Sequence, residues 1–205
     1  GAMTTAQVNA LTTDQLAAMG ATQIGGLTTA QLAGLDTNIN KLSTAQFAAL
    51  SASQIGSLST AQVTGLDSED LAALGSRQVA AISTAAIAAM DSQLLDLSTA
   101  QVQGLTVAQF KAMGTADFAS FESQDLAALT PTQMRALTTD QLVAVSTQAS
   151  VFGSAQLAVL STAQLGALIG GSASSTVDVT SLDPSQIGGL RAAGRGFAVG
   201  DQRVP

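Results

Sequence analysis

An all-α solenoid of short, separately capped helices, one per eight-residue repeat, is the fold class this sequence predicts, and three observations predict it. One octapeptide phrase recurs through residues 4–168, with TTAQLAGL (28–35), STAQFAAL (43–50), STAQVTGL (59–66) and STAQLGAL (161–168) as its clearest copies. Each copy opens with helix-start chemistry and ends with helix-stop chemistry. Apolar residues stand at places five and eight of each copy, a spacing that suits neither a continuous helix nor a strand.

The helix start is the sharpest signal. Place one is Thr, Ser, Asp or Gly and place four is usually Gln. In the copy 28–35, Thr28 is placed to cap the helix with its hydroxyl, and Gln31 is placed to reach back to the backbone N–H of Thr28, which makes a capping box. Leu27 and Leu32 stand at N′ and N4, the two positions of a hydrophobic staple. The next cap follows eight residues later, so each helix has room for about six residues.

The rarer residues agree with that phase. Pro131 and Pro184 both occupy place two, the first helical position, where proline sacrifices only an orphan donor. Gly25, Gly26, Gly34, Gly56, Gly65 and Gly104 fall at places six and seven, where the helix ends and a left-handed residue is expected. Gly20, Gly75, Gly114 and Gly153 fall at place one, where glycine is an acceptable cap. Acidic residues (Asp14, Asp36, Asp67, Glu69, Asp70, Asp91, Asp117, Glu122, Asp125, Asp140) lie in the first half of their units, and Lys41, Lys111 and Arg135 lie near the end, as the helix dipole favours. Arg77 and Asp96 depart from this rule.

Geometry removes the competing structures. In one continuous helix, apolar places at i, i+5 and i+8 would sit at about 0°, 140° and 80° around the axis, so no apolar stripe would form. In a strand, a step of five followed by a step of three would send successive apolar residues to opposite faces. Separate short helices put all of them on a common inside. Helices of one or two turns do not hold together alone in water, so stability must belong to the array.

A longer period overlies the octad. DTNINKL (36–42), DSQLLDL (91–97) and STQASVF (146–152) each lack one residue before the first apolar place, and they begin 55 residues apart. The super-repeat therefore holds seven units, six octads and one heptad. An odd number suits a screw of nearly equivalent units in which the deletion corrects register about once per superhelical turn, with Asp36, Asp91 and Ser146 in equivalent places.

Composition limits function. The apolar fraction is 46%, with six Phe and no Trp or Tyr, which favours close stacking of small side chains over a core of large rings. The net charge is −7 with only 10% charged residues, so the repeats offer no basic patch for nucleic acid. Arg191, Arg195 and Arg203 read as a solvated C-terminal segment. Without cysteine there is neither disulfide nor thiolate metal site. No run of about eighteen apolar residues exists to span a membrane. Residues 1–3, Gly1-Ala2-Met3, read as an expression scar, followed by the array at 4–168. Residues 169–182 read as a Gly/Ser-rich linker or capping segment with a short strand at TVDV (176–179). Residues 183–205 hold a last repeat-like unit, DPSQIGGL, and a tail that caps the array or leads to another domain.

Chemistry finds little purchase. The absence of histidine removes Ser-His-Asp triads, imidazole bases and ordinary zinc sites. A Ser-Lys dyad would need Lys41 or Lys111, which helix-end placement already explains. The acidic cluster DSED (67–70) is the densest in the chain, and it reads as an N-cap with an acidic first turn because no calcium-loop pattern accompanies it. The expectation is a non-enzyme with no catalytic, cofactor-binding or metal-binding residues.

The phrase L-S-T-A-Q, followed by an apolar residue and closed by Leu as at 42–50 and 97–105, resembles octad arrays of very large proteobacterial exported proteins, often labelled adhesins or haem-utilisation-related. The resemblance covers most of 4–168 and implies an extracellular or cell-surface setting. It brings no haem ligands, since histidine is absent and the methionines occupy apolar places or the scar. Two roles follow. One is a stalk or spacer of a bacterial surface or secreted protein, adhesive through repeated weak contacts with a protein or cell-surface partner. The other is an α-solenoid scaffold that holds a protein or peptide in its superhelical groove. Binding hot spots favour Trp, Tyr and Arg, and the array has only Arg77 and Arg135, which favours the first.

Overall fold

The computed structural model describes residues 3–170, together with Pro184. The 176–179 strand, the tail and its three arginines lie outside the described residues, as do most of the 169–182 linker and of the unit at 183–190. Two compact bodies, Gly1–Met113 and Gly114–Pro205, divide the chain. Each is described on its own terms.

Among the described residues every regular element is a helix, and nearly all are four to six residues long. The octad phase predicted from sequence holds in detail. At Thr29–Gly34 the backbone N–H of Thr28 donates to Gln31 Oε1 at 2.7 Å, and the N–H of Gln31 donates to Thr28 Oγ1 at 3.2 Å. The same reciprocal pair starts Thr13–Ala18, Thr44–Ala48, Thr60–Thr64, Val107–Ala112 and Thr139–Ala144. Where glycine is the cap, half the box survives, as in Gly75 N–H to Gln78 Oε1 at 2.7 Å. Pro131 stands at the start of Pro131–Ala136, as expected. The staple residues Leu27 and Leu32 are both buried.

The core is the set of fifth and eighth places. Leu16, Ile24, Leu32, Val79, Phe110, Leu126 and Leu157 at place five have no exposed surface, and Leu50, Leu66, Leu105 and Leu137 at place eight retain 2–3%. Burying each such side chain is worth about 1.5–3 kcal/mol, and that gain holds helices too short to persist alone. In the second body Phe118 and Phe121 meet edge to face, with ring centroids 5.5 Å apart.

Two expectations are corrected. Glycines at places six and seven are not left-handed caps: Gly26, Gly56 and Gly65 have φ of −85°, −64° and −89°. Helices stop because place eight turns inward, its N–H closing a tight last turn onto the carbonyl of place five, as in Ile82 N–H to Val79 O at 3.1 Å. Several of the glycines, though not Gly26, serve close approach between turns. A Cβ on Gly25 would lie 2.9 Å from Ala49 O, and one on Gly104 would lie 2.7 Å from Ser76 Cβ and 2.9 Å from Ser76 O. Gly104→Ala is therefore expected to cost about 1–3 kcal/mol. Gly75→Ala, whose new methyl meets only Gln78 Oε1 at 3.5 Å, should cost less than about 1 kcal/mol. Urea midpoints of the two variants compare these directly, and equal losses would refute the close-approach reading.

The second correction concerns the heptads. Asp36–Lys41, Asp91–Asp96 and Ser146–Val151 are 3₁₀-helices without side-chain caps, because removing one residue leaves too little chain for an α-turn between successive inward residues. Asp36 and Asp91 are alike: exposed, with φ of 51° and 44°. Aspartate tolerates that left-handed region better than most residues. Ser146 differs from both, since it is buried and does not share their positive φ.

Candidate functional site

The feature that sets this chain apart is a ladder of buried glutamine side chains at place four. Each performs two tasks. Its Oε1 accepts the N–H of its own cap, while its Nε2 donates to backbone carbonyls about one superhelical turn earlier. Gln109 Nε2 donates to Val79 O at 2.9 Å and Ile82 O at 2.8 Å, 30 and 27 residues back. Gln101 donates to Leu71 O and Leu74 O, both at 2.7 Å, with the same spacings. Gln46, Gln54, Gln62 and Gln78 repeat the pattern in the first body. Gln156 and Gln164 repeat it in the second.

The acceptors are the carbonyls that short helices leave over. Val79 O receives both Ile82 N–H and Gln109 Nε2, so both of its lone pairs are used. Ile82 O lies between two helices and would otherwise be an orphan. These buried carbonyls thus find side-chain partners on the following turn. In the second and third heptads the glutamine stands one place earlier: Gln93 Nε2 donates to Leu66 O at 2.6 Å and Gln148 Nε2 to Phe121 O at 3.2 Å, while the first heptad has Asn38 there.

This spacing fixes the turn inside each body. Helices pack on the unit three places back, as Ser68–Ala73 does on Thr44–Ala48 and Thr139–Ala144 on Thr115–Ser120. The glutamine reaches the unit four places back. A turn therefore holds between three and four units, and the 55-residue super-repeat spans two turns of about 27 residues, where one turn was expected. Three and a half units per turn also explain the odd count of seven, because two turns are needed before units realign.

Place four is not glutamine at Asp70, Ala86, Asp117 and Asp125, and the titration of Asp70 is shifted. It occupies place four of DSEDLAAL and is 5% exposed, but its carboxylate has no N–H to offer a carbonyl. Burial pushes its pKa from 3.8 up to about 6, and the charges of Asp67 and Glu69 and a hydrogen bond with the Asp67 side chain push the same way. The rest of the acidic cluster is an N-cap, Asp67 Oδ1 accepting Asp70 N–H at 2.9 Å, and an exposed Glu69. Among the described residues no group of three or more acidic side chains is placed to hold a metal ion. Lys41 and Lys111 are exposed at the ends of their helices, without the desolvation a catalytic lysine uses.

Sequence reasoning missed the second task of the glutamines. A signal for it was present: a capping box is served by Glu or Gln alike, but place four in this chain is never Glu. Only the amide offers an acceptor to its own cap and donors to the previous turn.

These features define an all-α repeat protein whose helical units support one another turn on turn. The family model of the ALTTAQ repeat matches residues 1–29, 63–95 and 118–149, and the chain carries close forms of that phrase as ALTTDQ at 10–15 and 136–141. No curated protein and no solved structure matches the chain. No helix among the described residues is long and apolar enough to cross a membrane.

Proposed function

We propose that the chain is a non-enzymatic structural module, a stalk or spacer in a surface or secreted protein of a proteobacterium, adhesive through repeated weak contacts. The glutamine ladder carries this reading. Most octads are tied to the turn before them by the same kind of bond, so 55-residue blocks can be gained or lost without a new fold, as a spacer requires. The octad array and its resemblance to exported proteins support the surface setting.

Antibody raised against the purified chain is expected to label intact producing cells as strongly as permeabilised ones. Labelling confined to permeabilised cells would overturn the surface assignment. Deleting residues 36–90, one super-repeat, should leave a shorter chain with the same helical signal per residue and a cooperative melt. Loss of cooperative melting would refute the interchangeable-block argument.

A further inference from the structure

The heptad at 36–42 is tied to its neighbouring turns more weakly than the octads around it. In the octads 43–50 and 59–66, Gln46 and Gln62 donate back to the preceding turn, and the Leu50 and Leu66 carbonyls receive Gln78 and Gln93 from the following one. Unit 36–42 has Asn38 where the heptad at 91–97 has Gln93. Asparagine is one methylene shorter, and the exposed Asn38 side chain makes no hydrogen bond among the described residues. The preceding turn is in place, since Thr13–Ala18 packs on Asp36–Lys41, so the missing bond reflects the short side chain. From the following turn, Gln62 reaches Leu32 and Asp36 while Gln78 reaches Phe47 and Leu50. The place four between them, which by the same count serves Ile39 and Leu42, is Asp70, whose ionised carboxylate has no N–H to donate.

The unit is also less favourable internally. It is a 3₁₀-helix without a side-chain cap, and its first residue, Asp36, has φ of 51°. Asn40 Oδ1 is buried without a partner, and the same side chain is pressed against the next turn, where a Cβ on Gly65 would collide with Asn40 Nδ2. A left-handed residue other than glycine and an unpaired buried oxygen both raise the energy of the folded unit. What holds it is the burial of Ile39 and Leu42 and the bond from Gln62 to Asp36 O at 3.1 Å.

We infer that unit 36–42 is a yield point built into the first body: it opens locally while the octads on either side stay folded, so the superhelix lengthens there first. Opening it frees Asp36 from its left-handed conformation and gives water to Asn40 Oδ1, whereas opening the octad 43–50 or 59–66 breaks amide bonds to both neighbouring turns. In a spacer, such a unit confines extension under load to a fixed place. That use rests on the proposed spacer role, but the local opening does not, and it is read on the purified full chain whatever its cellular setting.

The test is hydrogen exchange of the full chain at pH 7, followed amide by amide. Leu42, Leu50 and Leu66 N–H make the same bond at the same place, to Ile39 O, Phe47 O and Val63 O at 3.0, 3.1 and 3.1 Å. Leu42 is expected to have a protection factor at least about tenfold below those of Leu50 and Leu66. Asn38→Gln combined with Asp70→Gln supplies both missing amides, and should bring Leu42 to within about threefold of the other two with unchanged circular dichroism. Equal protection of the three amides in the wild-type chain would overturn the inference. So would a double variant with wild-type circular dichroism in which the tenfold gap persists.

Discussion

Gln109→Glu is expected to destabilise the chain by about 3–5 kcal/mol at pH 7, although it exchanges only an amide for a carboxylate of the same shape. Gln109 is 1% exposed, and its Nε2 donates at 2.9 and 2.8 Å to Val79 O and Ile82 O. Glutamate removes both donors, leaves Ile82 O without that partner and sets a negative charge against two carbonyl dipoles. The cap survives, because a carboxylate accepts Thr106 N–H as readily as the amide oxygen does. Urea denaturation at pH 7 measures the loss. At pH 4 part of it should return, since a protonated carboxyl regains one donor. A loss below about 1 kcal/mol at pH 7 would show that the ladder fills space without contributing to stability.

Asp70→Gln should have the opposite sign. It restores glutamine at place four, as in STAQ (59–62) and GSRQ (75–78), giving the acidic unit both a cap acceptor and cross-turn donors. The pH dependence gives a separate readout. The folded-state pKa of Asp70, about 6, is raised above its ordinary 3.8, so the folded state binds a proton more tightly than the unfolded state between those values. Stability is therefore fullest below about pH 4, falls as pH rises through 6 and is flat above. The loss is about 1–2 kcal/mol once screening by solvent near exposed Asp67 and Glu69 is allowed for. Asp70→Gln is expected to add about 1–3 kcal/mol at pH 7 and to flatten the slope between pH 4 and 6. Thermal melts of both proteins at pH 4, 5, 6 and 7 decide the matter. A slope unchanged by the substitution would assign the titration to another carboxylate.

Both substitutions address residues whose first role was legible in the sequence and whose second was not. The pairing of Thr106 with Gln109 acts over three residues, and local rules place it without knowledge of the fold. The pairing of Gln109 with Val79 and Ile82 acts over 27 and 30 residues, and only the coiling of the chain brings those carbonyls within reach. The glycines divide likewise. Gly75 as a cap follows from its own unit, whereas Gly104 is glycine because Ser76 of another turn lies against it.

The sequence by itself determined the all-α class, the octad phase, the capped starts, the inward places five and eight, and the 55-residue period, because caps, staples and hydrophobic spacing are properties of a few neighbouring residues. Tertiary structure alone decided how many units make a turn, that the heptads become 3₁₀-helices, that Asp36 and Asp91 adopt positive φ while Ser146 does not, and that the carboxyl of Asp70 is buried where other units bury an amide. Those outcomes depend on which carbonyl meets which side chain across turns. An eight-residue phrase specifies its own helix, but the angle at which one helix follows the next is settled by packing summed over the whole turn.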